Sequence, residues 1–371
     1  MSYRIIHIAD VHLDMAFAGL PPALGEVRRT QLQTAFERAL ELVKEHRADA
    51  LCIAGDLYED GKSTPDRAAY LTRVLGALAP ARVFISPGNH DPHNRTSLYR
   101  QMRLPDNVTV FSTRTFARVP LAPELTLWGA AHEFELDRAP MIDGFVCDGA
   151  GTHLLLFHGS DRERLPPGKE CVAPFVDADI MRAKAAHAMV GHFHGMTRGA
   201  HYTYPGSLEP LSSAQDGRHT AALVTVENGA VGVEFIDVAQ TRYITEDLDI
   251  SPYGDRAQLG EEISRRLAAS VDRPGAIFCR LRLVGSAAPT LDLDASQLQR
   301  DVQSKYPGTT IEDASATIDP AEAAREGYTV RAEFVKEMQR RIAAAPEDQR
   351  PLLERALRYG LLAFAGKRLS A

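Results

Sequence analysis

Short apolar runs, each closed by a small cluster of polar residues, recur along the first part of the chain. Arg4-Ile5-Ile6-His7-Ile8-Ala9 leads into Asp10-Val11-His12, Ala48–Ala54 into Gly55-Asp56, and Ala81–Ser86 into Pro87-Gly88-Asn89-His90-Asp91. Runs this short, apolar throughout rather than alternating, predict strands buried on both faces. Helical patterns lie between them. From Ala23 to Glu45 apolar residues recur at Leu32, Phe36, Leu40 and Val43, and Pro65-Asp66 opens a second helix with Ala69, Leu75 and Leu78 on one side. A helix near Ser97–Met102 and a strand over Val108–Phe111 complete a β-α-β-α-β alternation, which predicts a largely parallel sheet with helices on both faces.

The same punctuation continues downstream. Leu125–Gly129 reads as a strand, and Ala131–Gly151 is loop-rich. Thr152–Phe157 is closed by His158-Gly159, and Ala185–Val190 by Gly191-His192-Phe193-His194-Gly195. Ala221–Val226 and Val231–Val238 form a hairpin about Asn228-Gly229. A first domain is expected over 1–240. Strands at Tyr243–Ile250, Ala276–Val284 and Thr309–Ile318, with helices at Gln258–Ala269 and Ala295–Tyr306, predict a small α/β domain over 241–320. A helical segment over 321–371 follows, with Val330, Phe334, Met338 and Ile342 on one face, a break at Pro346, and a second stripe at Leu353, Leu357 and Leu361.

Composition narrows the class. The 371 residues exceed one ordinary small domain, and 44% hydrophobic with 25% charged residues is globular. A net charge of −7 argues against a protein that coats nucleic acid through general basicity, while leaving room for a local basic groove or bound cations. Cys52, Cys147, Cys171 and Cys279 are scattered, so neither a disulfide framework nor a zinc knuckle is expected. No signal-peptide shape is present and no apolar run approaches about 18 residues, so a cytoplasmic protein without a membrane span is expected.

The polar clusters that close the strands carry the chemistry. They bring together Asp10 with His12, Asp56, Asn89 with His90, His158, and His192 with His194. Carboxylates, imidazoles and an amide are borderline-to-hard donors, suited to manganese, iron or zinc rather than to a soft thiolate site. In Asp-x-His and His-x-His the two side chains share a face if the strand continues. Seven donors exceed the needs of one ion and suit two, which together clamp a phosphate and generate hydroxide for in-line displacement. His7 and His153 lie inside apolar strands and read as core residues; His187, His201 and His219 read as structural, and His93 as an exposed loop histidine. Arg95, Arg100 and Arg103 either line a phosphate track or form a solvated helix face, and Asp14 is either a helix cap or an acid near the site.

The set Asp10-Val11-His12, Gly55-Asp56, Gly88-Asn89-His90-Asp91, His158-Gly159 and Gly191-His192-Phe193-His194 resembles the calcineurin-like metallophosphoesterase superfamily over about residues 1–210. Within it, Asp10-Val11-His12-Leu13-Asp14, Gly55-Asp56-Leu57-Tyr58, Gly88-Asn89-His90-Asp91-Pro92 and Tyr204-Pro205-Gly206-Ser207 resemble the DNA-repair exonuclease branch of SbcD-type and YhaO-type nucleases. Val11 and Asp14, where SbcD-type proteins carry an aromatic and a glycine, move the chain toward the YhaO type.

The resemblance implies a four-layer αββα fold, a β-sandwich flanked by helices, with a small α/β capping domain and a helical C-terminal segment. It implies that Asp10, His12, Asp56 and His194 hold one divalent ion and that Asn89, His158 and His192 complete the other, with Asp56 bridging. His90 would protonate the leaving oxygen and Asp91 would orient His90. It further implies manganese as the preferred ion (iron, zinc or magnesium being possible), DNA as substrate of an exonuclease or endonuclease, an SMC/ABC-like ATPase partner, and a homodimer. A small-molecule phosphatase or cyclic-nucleotide phosphodiesterase is the alternative. Gly55-Asp56-Leu57-Tyr58-Glu59-Asp60-Gly61 lacks the arginine of the protein phosphatases, and the third motif ends in Asp91 rather than glutamate. A scaffold subunit with a structural metal site is the remaining alternative.

Overall fold

The structure, a computed structural model, describes residues 2–165, 168–212, 215, 217–271, 276–285, 291, 293–306, 308–315, 320–346 and 349–364. The chain forms two compact units, Met1–Arg242 and Tyr243–Ala371. In the first, β1 (Ser2–Ile8), α1 (Pro22–Glu45), β2 (Ala50–Ile53), α2 (Pro65–Gly76), β3 (Arg82–Ile85) and β4 (Val108–Val110) come first. Then follow β5 (Ala117–Ala122), β6 (Leu125–Gly129), β7 (Thr152–His158), α3 (Asp177–Arg182), β8 (His187–Gly191), β9 (Thr197–Arg198) and β10 (Tyr202–Tyr204). The hairpin β11 (Thr220–Glu227) and β12 (Ala230–Asp237) ends the series, its turn formed by Asn228 and Gly229 at φ 51° and 81°.

Two six-stranded sheets result, ordered β12-β11-β1-β2-β3-β4 and β5-β6-β7-β8-β10-β9. β1 through β4 run parallel, as do β6, β7, β8 and β10, so each sheet gathers several strand carboxyl ends on one edge. The expectation of helices on both faces of one sheet is corrected by how alternate residues pack. Ile6, Ile8, Leu51, Ile53, Val83 and Ile85 pack against Phe36, Leu40 and Val43 of α1 and Leu71 and Leu75 of α2. Their neighbours Ile5, Ala50, Cys52 and Phe84 instead meet Leu127, Leu154, Leu156 and Met189 of the second sheet. Both faces are apolar, but one is covered by helices and the other by a sheet. The outer face of the second sheet buries Trp128, Leu155, Phe157 and Val190 against Phe116, Phe175 and Ile180 of α3. That is a four-layer αββα sandwich.

Local details differ from the sequence pattern for identifiable reasons. The buried face of α2 is Ala68, Leu71 and Leu75, with Ala69 off it and Leu78 beyond the helix end. The helix expected at Ser97–Met102 is a 3₁₀ turn over Leu98–Arg100. The edge strand β5 is largely exposed or half-buried and interrupted by Pro120, so it lacks the apolar signature of its neighbours.

In the second unit, β13 (Thr241–Asp249), starting at the boundary, forms a three-stranded sheet with β14 (Ala276–Val284) and β15 (Thr309–Asp313), and α4 (Arg256–Val271) and α5 (Ala295–Gln303) add Leu259, Ile263, Leu298 and Val302 to the core. Residues 316–318 of the expected third strand lie outside the described residues. α6 (Pro320–Ala323), α7 (Val330–Ala344) and α8 (Arg350–Phe364) follow. The Thr329 hydroxyl caps α7 by accepting from the Ala332 amide at 3.0 Å. The inward face of α7 centres on Ala332, Val335 and Met338, whereas Val330 is exposed. Leu357 and Leu361 of α8 pack against it.

Candidate metal and phosphoester site

The polar clusters that close β1, β2, β3, β7 and β8 converge at the shared edge of the sandwich. Backbone pairing outlasts the strands: the Asp10 amide donates to Gly55 O at 3.1 Å and the His12 amide to Asp56 O at 2.8 Å. The two sheets are tied across the site by the His192 amide, which donates to both carboxylate oxygens of Asp10 at 3.1 and 3.0 Å. Asp10, His12, Asp56 and His192 all adopt positive φ, 52°, 51°, 54° and 115°. Left-handed backbone at non-glycine residues is uncommon and clusters at functional sites. The Asp-x-His pair therefore does not share a strand face, as regular alternation predicts. The strand ends first, and left-handed turns aim both side chains inward. Gly55 and Gly88 make this closeness feasible, since a Cβ on Gly55 would collide with the His158 ring and one on Gly88 would lie 2.7 Å from the Asp56 amide nitrogen.

Three groups of donor atoms lie within 4.8 Å of one another: Asp10, His12 and His194; Asp10, Asp56 and His158; and His12, Asp56 and His90. Asp56 Oδ2 is 3.3 Å from His158 Nε2 and 3.6 Å from His12 Nε2, and Asp10 Oδ1 is 3.7 Å from His194 Nε2. Asn89 joins through its Oδ1, 3.0 Å from His158 Nε2, and His192 lies beside His158 with ring centroids 5.2 Å apart.

The residues fit a divalent cation. His12 Nε2 is buried, faces Asp56 and has no hydrogen-bond partner among the described residues. His158 Nδ1 lies 2.9 Å from Ala54 O, and His12 Nδ1 lies 2.8 Å from Glu59, which leaves both Nε2 atoms for a cation. His192 Nε2 lies 3.0 Å from Glu170 O, which leaves Nδ1. Burial opposes ionisation of Asp56, yet the imidazoles of His158, His12 and His90 hold its carboxyl well below the usual range. Burial also pushes His192 down to about 2 and His194 well below the usual imidazole value, so both rings stay in the neutral, ligating form.

His90 is placed differently. It is 42% exposed, its amide donates to Asp56 Oδ1 at 2.8 Å, and its Nδ1 stands 3.4 Å from Glu59 Oε1. The Glu59 contact, against a smaller opposing effect of burial, pushes the His90 pKa up to about 9.

The expectation that Asp91 orients His90 is corrected. Asp91 is buried and accepts from the amides of Gly88, Asp56 and Leu57 at 2.6, 2.9 and 2.8 Å and from Tyr99 Oη at 2.6 Å. It staples the second and third motifs together, and Glu59 is the carboxylate on His90.

Glu59 and His132 join the site without having been singled out from the sequence. Glu59 follows Asp56 by three positions, beside the backbone pairing of Leu13 with Tyr58. His132 follows the end of β6, and its Nε2 lies 2.8 Å from His158 O. The recurring signal, a polar residue just past a strand end, was available for His132.

The remaining candidates separate. Arg95, Arg100 and Arg103 are exposed, and Arg103 lines a groove beside α2 with Pro65, Ala69 and Met102. Asp14 caps no helix; it is bound by Arg67 at 2.7 Å and the Ser63 hydroxyl at 2.8 Å. His93 is half-buried rather than exposed. His153, His187 and His219 are buried and partnered, while both ring nitrogens of buried His7 lack partners among the described residues.

Known proteins supply an independent comparison. Residues 3–203 match the model of the calcineurin-like phosphoesterase family. The chain is 22% identical over 328 residues to the uncharacterized metallophosphoesterase YhaO of Bacillus subtilis, covering 81% of this chain and 79% of that one. It is 28% identical over 297 residues to the DNA double-strand break repair protein Mre11 of Methanopyrus kandleri, covering 71% and 62%, and 25% identical over 300 residues to that of Aeropyrum pernix, covering 72% and 69%. The chain thus spans less than two thirds of the Methanopyrus relative. The matched region holds every strand end that builds the acidic and imidazole cluster, and with that cluster in place the chain belongs to the calcineurin-like phosphoesterase family, whose members use divalent metals.

Proposed function

We propose that this protein is a two-metal phosphodiesterase that cleaves DNA. The observation that carries the reading is that two groups built wholly of proposed ligands, Asp10 with His12 and His194 and Asp10 with Asp56 and His158, overlap at Asp10. Shared donors suit a pair of ions better than separate sites would. Asp10, His12, Asp56 and His194 would hold one ion, and Asp56, Asn89, His158 and His192 the other; the donor chemistry suits manganese, iron or zinc, and the motif resemblance implies manganese as the preferred one. Ions so bound supply Lewis acidity toward a phosphoryl oxygen and lower the pKa of water.

The chain's own residues supply the rest. His90, exposed toward solvent and held protonated by Glu59, can give its proton from Nε2 to the leaving alkoxide of a phosphodiester. Asp91 fixes the turn that carries Asn89 and His90, so both stay in register with Asp56. Arg95 and Arg100, exposed on the segment after His90, would contact the phosphates of a longer substrate. The motif resemblance to the DNA-repair exonuclease branch and the similarity to YhaO and Mre11 support DNA as the substrate, and the same resemblance extends the reading to an SMC/ABC-like ATPase partner and a homodimer.

The test is a comparison of three substrates with manganese present: end-labelled duplex DNA, an aryl phosphodiester and an aryl phosphomonoester. The proposal expects cleavage of the duplex and of the diester. Turnover of the monoester alone would assign the chain to the small-molecule phosphatases instead.

A further inference from the structure

The loop between β7 and α3 holds a cation that the proposed chemistry has not used. Lys169 Nζ lies 3.4 Å from Nε2 of His194, the same nitrogen that faces Asp10 Oδ1 at 3.7 Å. The side chain is half-buried, and among the described residues it forms no ion pair. Its approach is set by backbone. The next residue, Glu170, presents its carbonyl to His192 Nε2 at 3.0 Å. Two residues further on, the Val172 amide donates to Ser160 Oγ at 2.9 Å and the Ser160 amide to Val172 O at 2.8 Å. Both attachments lead to residues at or beside the metal-ligand cluster, so Lys169 is carried to its edge by the same segment that orients His192.

Among the described residues the ammonium's hydrogen-bond contact is His194 Nε2, the nitrogen that the proposed ion would take. The carboxylate of Asp10 is engaged by the His192 amide, and that of Asp56 by the His90 amide and by His158. Both carboxylates would serve the ions, and the ions themselves repel an ammonium. What satisfies the charges is an anion from outside that lies against the ions and Lys169 together. A phosphate oxygen has that chemistry, and lysine binds phosphate as a point charge.

We propose that Lys169 is a substrate-positioning residue that binds a nonbridging oxygen of the phosphate at this site. The proposal rests on the two-metal reading above, and its test separates the two. Inorganic phosphate and Mn²⁺ are the probes: the dissociation constant of each is measured by titration calorimetry for the full chain, phosphate being added to manganese-loaded protein. Lys169→Met is expected to weaken phosphate binding by about tenfold or more while the manganese constant stays within about threefold. Lys169→Arg, which keeps the charge, is expected to recover part of that loss. With the aryl phosphodiester, Lys169→Met should raise KM more than it lowers kcat, and with duplex DNA the KM should rise as well. Unchanged phosphate affinity in Lys169→Met, no recovery in Lys169→Arg, or a wild-type protein that binds no phosphate would overturn the proposal. Manganese and phosphate affinities falling in parallel would overturn it too, since that is the signature of a role through His194 alone. Phosphate binding requires no turnover, so a protein that binds phosphate through Lys169 yet cleaves no diester would sink the phosphodiesterase reading and leave this one standing.

Discussion

Glu59 Oε1 lies 3.4 Å from Nδ1 of His90, and the same oxygen lies 2.8 Å from Nδ1 of His12. One carboxylate thus touches an imidazole of the ligand cluster and the exposed imidazole in front of it. It also raises the His90 pKa to about 9, so the ring is protonated at neutral pH. Glu59→Gln removes the charge and keeps the shape. The expected outcome is a fall in kcat on the aryl phosphodiester of about tenfold, with the basic limb of the pH–rate profile moving down from near 9 toward the ordinary imidazole value of 6.5. The direction follows because a proton donor loses activity as pH rises through its pKa. A profile whose basic limb does not move would show that Glu59 does not set the protonation of His90.

Asp91 is assigned to holding the turn, which makes a stability prediction. Its carboxylate satisfies three backbone amides and the Tyr99 phenol in a buried setting. Asp91→Ala leaves those donors unsatisfied and should cost more than about 3 kcal/mol in urea unfolding of the metal-free chain. Tyr99→Phe should cost only about 1 kcal/mol. A loss under 1 kcal/mol for Asp91→Ala would contradict the staple.

Much of this site was readable from the chain because each ligand follows an apolar run, and the end of a buried strand is visible in sequence. The left-handed turns were less so: Asp and His tolerate that conformation, but nothing in Asp10-Val11-His12 distinguishes it from a continuing strand. The second sheet as a layer came from the motif resemblance and not from the apolar pattern, because apolar residues on both faces of β1–β3 are compatible with helices or with another sheet. The partner of His90 was missed for another reason. Asp91 adjoins it in sequence, but backbone direction at the turn sends that carboxylate down onto amides, while Glu59 arrives from the neighbouring strand end.

Stability should fall in mild acid through buried histidines remote from the ligand cluster. His187, hydrogen-bonded to Thr203 Oγ1 at 2.9 Å, has its pKa lowered by burial, and then by nearby positive charge, to about 4. A folded pKa below the unfolded value of 6.5 means that the unfolded chain binds more protons between the two. The stability is therefore fully present above pH 6.5 and is lost as pH falls toward 4, by about 3 kcal/mol at most. His187→Gln, which cannot titrate, should flatten that share of the slope. Equal slopes for the two proteins between pH 7 and 4 would contradict it.

The buried pair Arg28–Glu209, 2.9 Å apart and fully enclosed, joins α1 to the segment before β11, with Arg28 also donating to Pro210 O at 2.6 Å. Glu209→Ala leaves the guanidinium without its counterion and should cost about 3–5 kcal/mol, read as a fall in the urea midpoint. Replacing both residues by apolar ones of similar volume should recover most of the loss. A double variant no more stable than Glu209→Ala would argue against an uncompensated charge as the cause.

Cleavage of end-labelled duplex DNA by wild-type protein and Asp56→Asn, side by side with manganese, tests the central claim most directly. Asp56 belongs to two of the three donor groups and is the proposed bridge. The account predicts manganese-dependent cleavage by the wild type and a rate lower by about a thousandfold in Asp56→Asn. Cleavage by Asp56→Asn at the wild-type rate, or no cleavage by the wild type with any divalent ion, would contradict it.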